Sequence, residues 1–129
     1  MKNYELLAAK ISIFVIYFWF GILKLLGVSP ATPLVATLFE KTISFMPFSV
    51  FYSFFAIFEM IIGVLFLIRG MERPAIYLIS AHLIIVALPL FLLPDITWQL
   101  FLIPTLEGQY IIKNIAIAAL AILISRKTI

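Results

Sequence analysis

Residues 48–68 read FSVFYSFFAIFEMIIGVLFLI, a run in which Glu59 is the one charged residue. About 17–25 apolar residues are what an α-helix needs to cross the hydrocarbon core of a bilayer. Backbone N–H and C=O groups find no water in that core, so they must be satisfied within the segment, as they are in a helix. The run therefore predicts a transmembrane helix.

Three further apolar segments of similar length accompany this run. They cover residues 11–26, 75–93 and 106–125. None shows the alternation of apolar and polar residues that is typical of membrane β-strands. The sequence therefore predicts an all-α protein, an integral membrane four-helix bundle in which residues 1–129 form a single transmembrane domain.

The first segment also fits a second interpretation, a cleaved signal peptide. Lys2 and Lys10 give it a basic start, and Ser29-Pro30-Ala31 offers small residues beyond it. Lys24 interrupts the end of the apolar run, however, and the run is rich in aromatic residues. These features favour a retained helix.

Composition supports a membrane protein and excludes several function classes. Of the 129 residues, 65% are hydrophobic and 12% are charged, whereas soluble domains average about 45–50% apolar and about 25% charged residues. There is no cysteine, which excludes thiol–disulfide exchange, iron–sulfur ligation and cysteine-based zinc sites. The net charge is +3, but the basic residues form no patch, so no nucleic-acid partner is predicted.

The distribution of basic residues predicts the orientation. With four spans, the N-terminus, the second loop and the C-terminus lie on one side of the membrane. That side carries Lys2, Lys10, Arg69, Arg73, Arg126 and Lys127. The positive-inside rule then predicts a multi-pass protein of a bacterial-type cytoplasmic (inner) membrane, with both termini in the cytoplasm.

The first outer loop predicts a short helix of its own. Thr32 followed by Pro33 resembles a helix N-cap and first helical position. The next residues place apolar side chains mostly on one helical face, which is typical of a helix that lies in the membrane interface. In the second outer loop, Trp98 is a candidate interfacial anchor.

Polar and small residues recur at helical spacing inside the spans, where ionisable groups are costly. Small residues let membrane helices approach closely. The candidate packing residues are Gly21, Ala56, Gly63, Ala118 and Ala121. The candidate polar pocket consists of Lys24, Glu59, His82, Glu107, Tyr110, Lys113 and Asn114. This cluster is either a structural packing network or a functional pocket.

Depth along the helices suggests which groups meet. Lys24 and Glu107 both lie near the outer boundary, so we expect them to pair. Glu59 lies deeper and has two candidate partners, Lys113 and His82. A lone histidine does not make a metal site, and no established catalytic motif is present. We therefore predict neither catalytic nor metal-binding residues.

Four stretches resemble a known family. They are Phe18–Lys24, Phe58–Val64, His82–Asp95 and Thr105–Asn114. In this order they are similar to the four helices of DoxX-like membrane proteins and of the related YkgB-like group. The resemblance implies a four-helix inner-membrane protein, and some members of the family are associated with membrane redox complexes, quinone-linked oxidation or oxidative-stress responses.

Two functions follow as hypotheses. The first is an accessory or anchoring subunit of a membrane redox system, with a redox-enzyme partner or a quinone as its ligand; the sequence itself requires no cofactor. The second is a small oligomeric transporter or channel, in which intramembrane Glu and Lys bind or relay ions. Membrane lipid is a partner in either case, and a homo-oligomer fits both.

Overall fold

The computed structural model describes residues 3–30, 32–43 and 45–128. Four of its helices are long and apolar enough to cross a membrane, so the protein is a multi-pass membrane protein with an all-α bundle fold, as predicted. The elements are α1 (Asn3–Leu25), α2 (Thr32–Thr42), α3 (Phe48–Leu67), α4 (Glu72–Ala87), α5 (Pro89–Leu92), α6 (Pro94–Thr97), β1 (Trp98–Leu100), β2 (Ile103–Pro104) and α7 (Leu106–Thr128).

The bounds of the first, third and fourth spans differ from the predicted ones: the third begins earlier, at Glu72, and the fourth continues to Thr128. Helix α1 already includes Asn3, well before the apolar segment begins, because the strong helix formers Glu, Leu and Ala occupy positions 5–9. The third span is interrupted at Leu88 because Pro89 has no N–H to continue the helix, and it resumes as α5. We call the end of the bundle near Asn3 and Thr128 the terminal end, and the opposite end, with α2, the loop end.

A two-stranded hairpin at the loop end was not predicted. Strands β1 and β2 pair antiparallel, with Trp98 opposite Pro104. Leu102, in the turn, has a φ of 61°, an uncommon conformation for a residue with a side chain. The Trp98 indole N–H donates to the Leu90 carbonyl at 3.0 Å, which fixes the hairpin against α5.

The helices α1 and α3 pack most extensively of all element pairs in the described part of the chain. A Cβ added to Gly21 would lie 2.8 Å from the Ala56 carbonyl oxygen, and one added to Gly63 would lie 3.2 Å from the Phe14 carbonyl oxygen. Glycine at these two positions therefore allows the helix backbones to approach closely.

The buried core runs along the inside of the bundle. It is formed by Ile13, Tyr17, Ile62, Phe66, Ala75, Ile79, Ala121 and Ile124. Large apolar side chains on the outside, such as Trp19, Phe54 and Ile84, are exposed in the isolated chain. A lipid environment covers such side chains, so their exposure is consistent with a membrane-spanning bundle.

Candidate functional site

Glu59, near the middle of α3, is the centre of a buried polar cluster. Its side chain is 6% exposed, and each carboxylate oxygen faces a different helix. Lys24 Nζ of α1 lies 2.9 Å from Oε1, and His82 Nε2 of α4 lies 2.7 Å from Oε2. Glu59 comes eleven positions after Phe48, so it lies about 16 Å along the helix, near the middle of the span.

Tyr17 of α1 extends the cluster to a fourth side chain. Its hydroxyl lies 2.9 Å from His82 Nδ1, and both residues are buried. A neutral imidazole that carries its proton on Nε2 donates to the Glu59 carboxylate and accepts from the Tyr17 O–H. We assign this tautomer because a protonated Nδ1 would leave the Tyr17 O–H without an acceptor among the described groups.

The ion pair depends on the direction of Lys24. Side chains on an α-helix tilt towards its N-terminus, and α1 begins at the terminal end. Lys24 therefore reaches from the loop end towards the middle of the bundle. Oε1 of Glu59 accepts no directed hydrogen bond from the described residues, so the Lys24 charge stabilises this oxygen by proximity.

Aromatic rings close the cluster on its apolar side. The Phe55 ring stacks on His82 with centroids 5.2 Å apart, and Phe58 lies at 5.9 Å. From Phe55 the contacts continue through Phe51, at 5.8 Å, to Phe39 of α2, at 5.0 Å. A row of rings thus connects the polar cluster with the short helix at the loop end.

The helix α2 is held over the loop end by polar contacts. Thr32 Oγ1 lies 2.7 Å from the Tyr52 hydroxyl of α3. Lys41 Nζ donates to the Leu92 carbonyl, at the end of α5, at 2.9 Å. Because α2 contacts both α3 and α5, it covers the end of the bundle from which Lys24 enters.

Of the predicted pocket residues, Lys24, Glu59 and His82 come together. The expected pair of Lys24 with Glu107 is wrong, because Lys24 binds Glu59 and Glu107 is exposed. Between the two candidate partners of Glu59, the structure selects His82.

The remaining predicted pocket residues lie outside the cluster, on α7. Lys113 is exposed and lies over the ring of Tyr110, which is itself exposed, with Nζ 5.6 Å from the ring centroid. Asn114 is half-buried. These side chains therefore form no part of the buried polar cluster.

The predicted packing residues lie where close helix contact occurs. Gly21, Ala56 and Gly63 are buried between α1 and α3. On α7, Ala121 is buried and Ala118 is half-buried. The small side chains of Gly21, Ala56 and Gly63 allow α1 to lie close enough to α3 for Lys24 to reach Glu59.

Two contacts between ionisable side chains were not predicted from the sequence. The first joins Tyr17 to His82, and Tyr17 is not among the candidate pocket residues. Tyr17 precedes Lys24 by seven positions, which puts both on one face of a helix, and this spacing is the signal that indicates it. At the terminal end, Lys10 Nζ lies 2.9 Å from Glu72 Oε2, and Glu72 also accepts from the Gly70 N–H. Lys10 and Glu72 are 62 positions apart, so no local pattern indicated this pair.

The described residues contain no group of three or more His, Cys, Asp or Glu side chains that could hold a metal ion. The arrangement suits proton chemistry instead, since phenol, imidazole and carboxylate groups lie in hydrogen-bonded series. No protein-family model, curated protein or solved structure matches this chain.

Proposed function

We propose that the protein is a DoxX-like accessory subunit of a membrane redox system, in the inner membrane, with both termini in the cytoplasm. One observation carries the proposal: a buried hydrogen-bonded series runs from Tyr17 through His82 to Glu59, at mid-span. Ionisable groups at this depth are expensive and usually serve a function or a pairing. Here four ionisable side chains lie together: Tyr17 and Lys24 come from α1, Glu59 from α3 and His82 from α4.

The chemistry of this series is the storage and transfer of protons. His82 accepts at Nδ1 and donates at Nε2, so one proton can pass from Nε2 to Glu59 while the Tyr17 O–H passes its proton to Nδ1. A proton supplied by the redox partner must then restore the Tyr17 hydroxyl. Lys24 balances the charge of the Glu59 carboxylate and limits the cost of keeping it in the membrane. Quinone-linked oxidation moves protons together with electrons, so a redox partner could use such a series.

A quinone head group does not fit inside the bundle next to His82. His82 is 5% exposed, and its ring is flanked by Phe55, Phe58 and Tyr17. Two clefts of the described residues, one at Arg73 and one at Trp98, lie away from His82. We therefore place quinone binding and the redox centre on the partner and confine this chain to positioning and proton transfer.

The test is gentle purification from the native membrane, followed by mass spectrometry of co-purifying chains and small molecules. We expect a redox enzyme to co-purify with the wild-type protein. In the purified complex, Tyr17→Phe should slow quinone reduction, because it removes the hydroxyl from the series and keeps the ring. Glu107→Gln, an exposed substitution, is the matched control and should have no effect.

Two results would contradict the proposal. One is a clean homo-oligomer that carries neither a redox enzyme nor a quinone. The other is ion or solute flux in liposomes that contain the purified protein alone, which would indicate the transporter. In that case Glu59→Gln should abolish the flux, while Glu107→Gln should leave it unchanged.

A further inference from the structure

A cleft of about 350 Å³ lies at the terminal end of the bundle, between α4 and α7. It is lined by Arg73, Ile76 and Tyr77 of α4 and by Ser125 of α7. Arg73 and Tyr77 are four positions apart, so they lie on the same face of α4, about 6 Å apart along its axis. The cleft therefore combines a guanidinium, two hydroxyls and an apolar wall.

The charge around this cleft is unbalanced. Lys10, at the same end of the bundle, is neutralised by Glu72 at 2.9 Å. The other cations of the terminal end form no ion pair within residues 3–30, 32–43 and 45–128. They are Arg69, Arg73, Arg126 and Lys127, and all four are exposed. An anion at Arg73 would thus meet a positive surface, and no carboxylate of the described residues lies within ion-pair distance of this guanidinium.

The donors of the cleft are those that recognise a phosphate group. A guanidinium forms two parallel hydrogen bonds with phosphate oxygens, and its charge strengthens both of them. The hydroxyls of Tyr77 and Ser125 can donate to the same group. Basic pockets between transmembrane helices bind lipid head groups in this way.

The position of the cleft favours a lipid over a soluble anion. It opens between two membrane-spanning helices, and Tyr77, which lines it, is 68% exposed on the outside of the bundle. Tyrosine is enriched where acyl chains meet head groups. Ile76 supplies an apolar wall that a phospholipid can contact and a free phosphate cannot use.

We propose that this cleft binds the phosphate of an anionic phospholipid from the leaflet at the terminal end. Arg73 holds the phosphate, Tyr77 and Ser125 donate to it, and the acyl chains lie along the outside of α4 and α7. The site is remote from the Glu59 cluster and does not depend on the proposed redox role.

The test is native mass spectrometry of protein reconstituted into vesicles of equal phosphatidylglycerol and phosphatidylcholine. We expect the wild type to retain phosphatidylglycerol preferentially. Arg73→Gln should lower its retention about tenfold, because a hydrogen bond to a charged group is lost. Arg69→Gln removes one charge from the same end outside the cleft, so it is the matched control and should retain the lipid.

Competition with inorganic phosphate and a comparison of variants distinguish a lipid phosphate from a free anion. Inorganic phosphate at millimolar concentration should not displace the lipid; full displacement would indicate a free-anion site and overturn the proposal. Equal loss in Arg69→Gln and Arg73→Gln would indicate a general basic surface and also overturn it. Arg73→Lys keeps the positive charge but loses the planar guanidinium with its two parallel hydrogen bonds. This variant should therefore retain more phosphatidylglycerol than Arg73→Gln and less than the wild type. Circular dichroism of each variant confirms that the helices are intact.

Discussion

Lys24 and Glu59 form an ion pair inside the bundle, although Lys24 lies one residue before the end of α1. Lysines so close to a helix end ordinarily extend their side chains to the interface, where the ammonium is hydrated. This one turns the other way, and its side chain is 7% exposed. The carboxylate of Glu59 therefore compensates for the water that the ammonium loses.

The first prediction concerns this pair. Lys24→Met removes the positive charge beside the buried Glu59 carboxylate and leaves it with His82 alone. The free energy of unfolding should therefore fall by about 3–5 kcal/mol. Lys113→Met, which removes an exposed lysine from α7, should change it by less than about 1 kcal/mol. The measurement is reversible unfolding in mixed detergent micelles.

The double variant Lys24→Met/Glu59→Leu shows whether the two residues are coupled. It should be less destabilised than the sum of the two single variants, because it leaves no buried charge without a counter-charge. Strict additivity would mean that the two side chains do not interact in the folded protein.

The second prediction concerns the proton on His82. Since the chain has one histidine, its ¹⁵N imidazole signals need no assignment. They should report a proton on Nε2, which faces Glu59, and none on Nδ1, which accepts from Tyr17. A ring protonated at Nδ1 alone would contradict the hydrogen-bond directions in the cluster.

A third prediction follows from the Tyr17 hydroxyl. Tyr17→Phe leaves His82 Nδ1 buried without its donor, which should lower the free energy of unfolding by about 1–3 kcal/mol. Tyr110→Phe is the control, because Tyr110 is exposed on α7. Equal effects of the two substitutions would show that the Tyr17 hydrogen bond contributes nothing specific.

The fourth prediction concerns the close contact of α1 and α3. A Cβ at Gly21 would lie 2.6 Å from Met60 Cγ as well as close to the Ala56 carbonyl, so Gly21→Val must separate the helices. We expect a loss of at least about 1–3 kcal/mol. Ala119→Val, on the exposed side of α7, introduces the same side chain where space is free. A similar loss for both would indicate that α1 and α3 have room to adjust.

The fifth prediction tests the orientation in a bacterial host. The chain has no cysteine, so single cysteines can be labelled without a background. In intact cells, a membrane-impermeant maleimide should label Gln99→Cys, in the hairpin, and should label Lys127→Cys only after permeabilisation. The reverse pattern would place the termini outside.

The spans could be predicted from sequence because they depend on composition and length, which are local properties. The partners of Glu59 could not be selected in the same way. The rise per residue along each helix places both His82 and Lys113 within reach of Glu59. Which of the two contacts Glu59 depends on the rotation of α7 about its axis. Near its start, that helix has polar residues on two faces, with Glu107 and Asn114 on one and Gln109 and Lys113 on the other, so its sequence does not indicate which of them turn inward. In the structure, Lys113 turns outward.

The hairpin shows a different limit. Its tip, Leu100 to Ile103, is apolar and lacks the glycine or asparagine that marks a tight turn. The backbone reverses there through the positive φ of Leu102. Tertiary contacts stabilise the turn: the Thr105 hydroxyl donates to the Ile96 carbonyl at 2.6 Å, and the Trp98 indole donates to Leu90. Such contacts are not visible in a local pattern.

The place of the Lys24–Glu59 pair in the chain has a consequence for biogenesis. The two residues lie in the first two spanning helices, which are consecutive spans and pack through Gly21 and Gly63. During synthesis, both partners are therefore available before the third span emerges. We expect α1 and α3 to leave the insertion machinery together as a helical hairpin, because each would otherwise present a lone charge to the acyl chains. His82 then arrives as a later addition to a pair that is already neutral.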